Sequence, residues 1–200
     1  KRMQTRIDDL MKLIHTWLRA ITVDINTIKD NFKPASLQVI ISKAVESVEP
    51  QAVRKDIFIA SMIADDVTMI YWDEGTLVEA IVNIVGNAIK YSPSGSHVDI
   101  TDAYIDQKII IRIQDNGIGI SKEDLPFIFE DFYTSSDENK SERGSGVGLA
   151  LTRRILEAHD GTITVASELG QGSTFEMSLP GYEDETELEN SKIFEPVNNT

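Results

Sequence analysis

Cysteine is absent from the 200 residues. That excludes disulfides, thiolate metal centres and thiol nucleophiles, and it fits a reducing compartment. Long apolar runs are absent too: none approaches the ~18 residues of a membrane-spanning helix, and the first residues do not have the pattern of a signal peptide. The expectation is a chain without a membrane segment, lying in the cytoplasm, alone or as the cytoplasmic part of a membrane-bound protein. It begins at Lys1 rather than Met, as a piece of something longer would. Positive charge is scarce, with 19 Lys and Arg against 33 Asp and Glu and a formal charge of −14. Such a chain lacks the broad cationic footprint that a nucleic-acid backbone needs, so no nucleic acid is expected as partner. A single nucleotide needs only a local patch and stays open. Hydrophobic content is 41%, enough at this length for a full core and one or two domains.

Residues 1–34 form the first unit, read as one long helix to about residue 31. Ile7, Ile14, Ile21 and Ile28 recur every seven residues, Met3, Leu10 and Trp17 fill the companion register until Asp24, and Met11, Leu18 and Ile25 widen the stripe. Three apolar positions fit a multi-helix bundle better than a two-stranded coil. A lone helix cannot bury that face, so a second copy of the chain is the expected partner. Phe32-Lys33-Pro34 ends the helix, because the residue before Pro is pushed away from α.

Residues 35–180 form the main unit. Ser36 is placed to cap a helix to about Ala52, and Asp73 to cap another. Strands are predicted at Ile57–Ala60, Thr68–Trp72, Val98–Thr101, Ile109–Gln114, Thr162–Ser167 and Ser173–Leu179, with helices at Glu123–Phe129 and Val147–Ala158. The mixed order implies an α+β fold, a two-layer sandwich with helices on one face of a largely antiparallel sheet, preceded by the long bundle-forming helix. Residues 181–200 carry six acids against Lys192 and read as an acidic tail or linker.

The chemistry starts in the stretch Asn83 to Tyr91. Leu77, Ile81, Ile84, Val85 and Ala88 recur at helical spacing, while Asn83, Asn87, Lys90 and Tyr91 share another face. Amide oxygens suit a hard cation such as Mg²⁺, and an ammonium suits a phosphate. An exposed polar helix face would also account for these residues taken alone. Asp115-Asn-Gly117-Ile-Gly119-Ile120 follows a strand. Its carboxylate can accept a hydrogen bond from an exocyclic amine, and its glycines let backbone approach a flat ring; an ordinary Asp-Asn-Gly turn is the plainer alternative. Gly144-Ser145-Gly146-Val147-Gly148-Leu149 opens a helix, where free N–H groups hold phosphates, with Lys140 and Arg143 just before it. A flexible loop would look much the same. Phe127, Phe129, Phe132 and Tyr133 lie between the two glycine segments, Phe127 and Phe129 reading as core aromatics.

The order and spacing of these pieces, 28 residues from Asn87 to Asp115 and 29 from there to Gly144, resemble the catalytic ATP-binding domain of sensor histidine kinases. That family lies within the superfamily shared with gyrase-type ATPases and Hsp90 chaperones, built on the Bergerat-type fold. Counterparts of its N box (Asn83 to Tyr91), G1 box (Asp115 to Gly119), F box (Phe127 to Tyr133) and G2 box (Gly144 to Leu149) are present, as is a closing Gly170-Gln-Gly172-Ser173-Thr174-Phe175. The resemblance covers about residues 36–180 and implies ATP and Mg²⁺ as cofactors. It implies that Asp115 contacts the adenine amine, that Gly117, Gly119 and Ile120 floor the pocket, and that Tyr91 lies along adenine or ribose. It further implies Asn87 with Asn83 on Mg²⁺, Lys90 on a phosphate, Tyr133 beside the nucleotide, Gly144 to Leu149 over the phosphates, and Ser173 or Thr174 behind Asp115 through water. Asn83 and Lys90 are the catalytic candidates. The hydrolytic members place a Glu where this chain has Asn83; an amide cannot act as a general base, which favours transfer over hydrolysis.

In this family the phosphoryl goes to a His on the first helix of a dimerising hairpin and then to an Asp of a response-regulator receiver domain. His15 has no adjacent acid or following Pro, and the 19 residues from it to Pro34 span under ~30 Å of helix in total, too little for two long helices. Residues 1–31 therefore resemble the second helix of that hairpin, with the acceptor His upstream. His159 reads as a structural residue at a helix C-terminus and His97 as solvent-facing. The alternatives are a related kinase acting on Ser and a nucleotide-sensing module that transfers nothing.

Overall fold

The structure, a computed structural model, describes residues 25–64, 70–134 and 145–181. Most of the N-terminal helix with His15, the acidic tail, and Lys140, Arg143 and Gly144 lie outside the described residues. The helical turn α1 (Ile25–Asp30) is followed by β1 (Lys33–Ala35) and helix α2 (Leu37–Arg54). Then come β2 (Phe58–Met62), β3 (Ile70–Trp72), helix α3 (Glu74–Tyr91), β4 (His97–Ile105) and β5 (Lys108–Asp115). Helix α4 (Gly148–Ala158), β6 (Thr162–Glu168) and β7 (Gly172–Pro180) close the unit.

The main sheet runs β2-β4-β5-β7-β6, with only β2 and β4 parallel. Period-two alternation sends Ile109, Ile111 and Ile113 of β5 inward, where they meet Ile81, Ile84 and Val85 of α3 and Leu151 and Ile155 of α4 in one core. This is the expected mixed sheet covered by helices. Leu37, Ile40, Ile41, Ala44 and Val48 bury one stripe of α2 against that core. Each such large side chain contributes about 1.5–3 kcal/mol by leaving water.

Local chemistry sets the element ends. Asp73 caps α3, its carboxylate accepting from the Thr76 N–H at 3.1 Å. Ser36 occupies the N-cap position of α2, but its side chain makes no capping bond. At the other end of α3, the Lys55 ammonium donates to the carbonyls of Ile89, at 2.9 Å, and Lys90. A cation there meets the negative end of the helix dipole.

One strand was not foreseen, and one expected helix is absent. Lys33 to Ala35 does more than stop a helix: it pairs antiparallel with Ile70 to Trp72 as a separate two-stranded sheet, with Pro34 opposite Tyr71. A two-stranded ribbon tolerates Pro because no ladder on its far side needs the missing N–H. Residues 123–129 form no helix but a chain of tight turns, with Asp124 N–H to Ser121 O, Phe127 N–H to Asp124 O and Glu130 N–H to Phe127 O. Pro126, in the middle of this run, brings no N–H to a helical ladder and disfavours the α region at the residue before it.

His159 joins three elements. Its Nε2 accepts from the Asp73 N–H at 3.1 Å, so Nδ1 carries the proton and donates to Ile155 O at 2.8 Å. Its ring stacks on Phe32 at 4.8 Å, and the neighbouring Asp160 pairs with Lys29 of α1 at 2.9 Å. His97 is exposed beside Asp99. Burial holds the His159 imidazole below its ordinary pKa, against the opposing pull of Ile155 O and the carboxylates of Asp73 and Asp160. The unfolded chain binds that proton more readily, so stability is full above the ordinary His range and drains as pH falls through it toward the depressed folded value. Urea unfolding at about pH 7.5 and about pH 5.5 should therefore show a larger acid loss for the wild type than for His159→Gln.

Candidate functional site

A cavity of about 440 Å³ opens between α3, the loop after β5, the turns after residue 120 and the start of α4. Of the residues singled out by sequence, Asn83, Asn87, Lys90, Tyr91, Asp115, Gly119, Ile120, Tyr133, Ser145, Gly146, Gly148, Leu149 and Ser173 line it. Three others do not. Thr174 faces away, since its neighbour Ser173 faces in and side chains alternate along β7. Val147 is turned into the protein, 2% exposed. Gly117 sits behind the wall, its N–H donating to Asp115 Oδ1 at 2.8 Å.

Asp115 ends β5 with 6% of its surface exposed. Burial raises its pKa, and the backbone N–H groups of Gly117 and Ser173 partly offset that. The loop that follows it lies against the β6–β7 hairpin. At Gly119, φ is +71° and an added Cβ would stand 2.0 Å from Glu168 O, so no other residue fits. Ile118 N–H donates to Tyr91 O at 3.1 Å, tying this loop to the end of α3.

The helix α3 supplies the opposite wall. Asn83 Nδ2 donates to Gly148 O at 3.3 Å, which joins α3 to the first turn of α4. The Lys90 ammonium bonds the Tyr91 hydroxyl and lies 4.2 Å over its ring. Val147, at the N-cap of α4, offers no side-chain cap, so the first N–H groups of that helix keep no side-chain partner from that position. Gly146 (φ +68°) lies so close to Phe132 that a Cβ would meet its carbonyl carbon at 2.6 Å.

Tyr133 donates to the Asp124 carboxylate, which holds the phenol above its usual pKa. Phe129 meets Phe175 edge-on at 6.4 Å and packs against the core, as expected. Phe127 does not: it is 50% exposed and tilts over Tyr133 at 5.7 Å. The sequence reading missed Ile118, Ser121, Asp124, Ile128, Thr134, Leu169 and Phe175, which also line the cavity. Phe175 could have been found from the inward alternation of β7. Leu169 had no local signal, because a hairpin tip places it there.

The cavity thus brings together a buried carboxylate, two amides, an uncapped helix start and apolar Ile118, Ile120, Leu149 and Phe175. That set of surfaces suits a purine nucleoside with its phosphates. Among the described residues no cluster of three or more His, Asp or Glu could hold a metal, and no helix could cross a membrane.

A family profile described as histidine kinase-, DNA gyrase B- and HSP90-like ATPase matches residues 72–183, more than half of the chain, which belongs to that family. The adaptive-response sensory kinase SasA of Synechococcus elongatus is 31% identical over 180 residues, covering 90% of this chain and 46% of that protein. The sensor-like histidine kinase SenX3 of Mycolicibacterium smegmatis is 42% identical over 113 residues, covering 56% and 29%. The chain spans less than half the length of both relatives. Full-length ShkA, solved in complex with AMPPNP, superposes with a TM-score of 0.76 at 27% identity, over 88% of this chain and 36% of that one. The mycobacterial sensor histidine kinase MprB gives 0.64 at 27% identity, over 76% and 98%.

A raised acid pKa has a definite sign. The unfolded chain releases the Asp115 proton first, so its contribution to stability is present in acid and lost as pH rises through the folded value. Asp115→Asn should therefore be at least as stable as wild type in urea melts at about pH 7, with the difference shrinking toward about pH 4.

Proposed function

We propose that this chain is the ATP-binding catalytic part of a two-component sensor histidine kinase. The observation that carries the reading is that Asp115, Asn83, Asn87 and the start of α4 face one cavity. Asp115 accepts from the adenine amine, and Tyr91, Gly119, Ile120 and Tyr133 border the base and ribose. Lys90 and the segment from Gly144 to Leu149 meet the phosphates.

The amide oxygens of Asn83 and Asn87 fit Mg²⁺. Asn83 Nδ2 is committed to Gly148 O, which leaves Oδ1 as its donor atom toward a cation. Bound there, the ion would neutralise phosphate charge. The amide at position 83 cannot serve as a general base toward water, which favours transfer over hydrolysis.

In the whole protein the γ-phosphoryl passes to a His on a helix preceding this segment, and from there to an Asp of a response-regulator receiver domain. Residues 1–34 supply the second hairpin helix of a homodimer.

The test follows γ-labelled Mg-ATP. The chain should bind nucleotide and keep the label on ATP, Asp115→Asn should lose binding by about 100-fold or more, and acid-labile label should appear once a hairpin bearing the acceptor His is supplied. Rapid release of free phosphate, lost in Asp115→Asn, would make the chain a hydrolase. Label on the chain that vanishes in His15→Gln would overturn the reading of the first helix.

A further inference from the structure

Ser167 has no place in the family resemblance and does not line the cavity, yet its hydroxyl meets three groups that shape it. It donates to Gly172 O at 2.8 Å, accepts from the Ile120 N–H at 2.8 Å, and lies 3.0 Å from the Ser173 hydroxyl. A serine hydroxyl has one hydrogen and two lone pairs. The carbonyl of Gly172 takes the hydrogen, and the Ile120 N–H takes one lone pair. The second lone pair can only receive the Ser173 hydrogen, so the direction of the Ser173–Ser167 bond is determined.

Ser173 stands in the cavity wall, opposite Asp115 in the β5–β7 register. With its hydrogen drawn back to Ser167, it shows only lone pairs to the cavity, beside a carboxylate that also only accepts. We propose that Ser167 is a positioning and specificity-determining residue of the nucleotide site: it anchors the loop at Ile120 and orients Ser173 so that the base-recognising wall accepts hydrogen bonds and donates none. An exocyclic amine, with two N–H hydrogens, matches such a wall; a ring oxo group does not. The proposal rests on the nucleotide reading above and names what in this chain enforces the choice of base.

The test is the affinity of the full chain for ATP and for inosine triphosphate, in which an oxo group replaces the amine. The wild type should prefer ATP by ~100-fold or more. In Ser167→Ala the Ile120 N–H loses its acceptor and the Ser173 hydroxyl is released to turn into the cavity. ATP affinity should then fall about tenfold, while inosine triphosphate holds or gains, so the ratio between them narrows about tenfold or more. Ser167→Thr, which keeps the hydroxyl, should restore the ratio. In a Ser173→Ala background, Ser167→Ala should change the ratio no further.

Equal weakening of both nucleotides would overturn the proposal and leave Ser167 a prop of the loop. A ratio change that persists without Ser173 would overturn it as well. If the wild type binds ATP and only these ratios fail, the nucleotide reading stands; if it binds no ATP, both fall. Should Ser167→Ala not fold, Ser167→Cys, of the same shape but with a weak donor and acceptor, gives the same readout in smaller measure.

Discussion

Asp115 is a carboxylate kept almost wholly from water, and the two backbone N–H groups aimed at it, from Gly117 and Ser173, make that position tolerable. One comes from the turn that follows Asp115 and the other from the neighbouring strand. The carboxylate can be held only if β7 runs beside β5 in this register and the loop closes at Gly117. The loop in turn needs Gly119, because the hairpin backbone passes where a side chain would be. A buried acid of this kind costs stability and would be replaced by an apolar residue if packing alone mattered.

The two helices divide the remaining work. α3 carries its apolar stripe into the core and its amides into the cavity, with Asp73 fixing one end and Lys55 the other. α4 brings its first turn to the same place, and the Asn83–Gly148 bond keeps the two helices in step. A helix pinned at both ends is a rigid mount for side chains that must reach a small ligand at set distances.

What could be read in advance was whatever a short stretch of chain determines by itself. The stripe of α3, the cap at Asp73 and the alternation in β5 and β7 are of that kind, and the glycines around Asp115 belong to a recognisable order. Contacts made across strands were out of reach. Nothing in the composition of Lys33 to Ala35 signals a strand; it is one only because Ile70 to Trp72 lies beside it. Ser173 and Thr174 could not be told apart until the register showed which one faces the cavity. The apolar pattern of residues 123–129 suggests a helix, and Pro126 overrides it. Residue type alone assigns Phe127 to the core, although the turns that Pro126 imposes leave it half in water.

The stack of Phe32 on His159 and the ion pair of Lys29 with Asp160 fasten the last turn of α1 to the base of α4. The join lies at one end of an 11-residue helix whose other end is Gly148. Such a helix is a lever of ~16 Å. A tilt of ~4° at its base would carry the glycine end by about 1 Å, as much as separates a good hydrogen bond from a broken one. The segment between α1 and α2 is therefore a geared joint and not a loose hinge: a torsion of α1 would reach the Gly148 end of the cavity through the skeleton of α4.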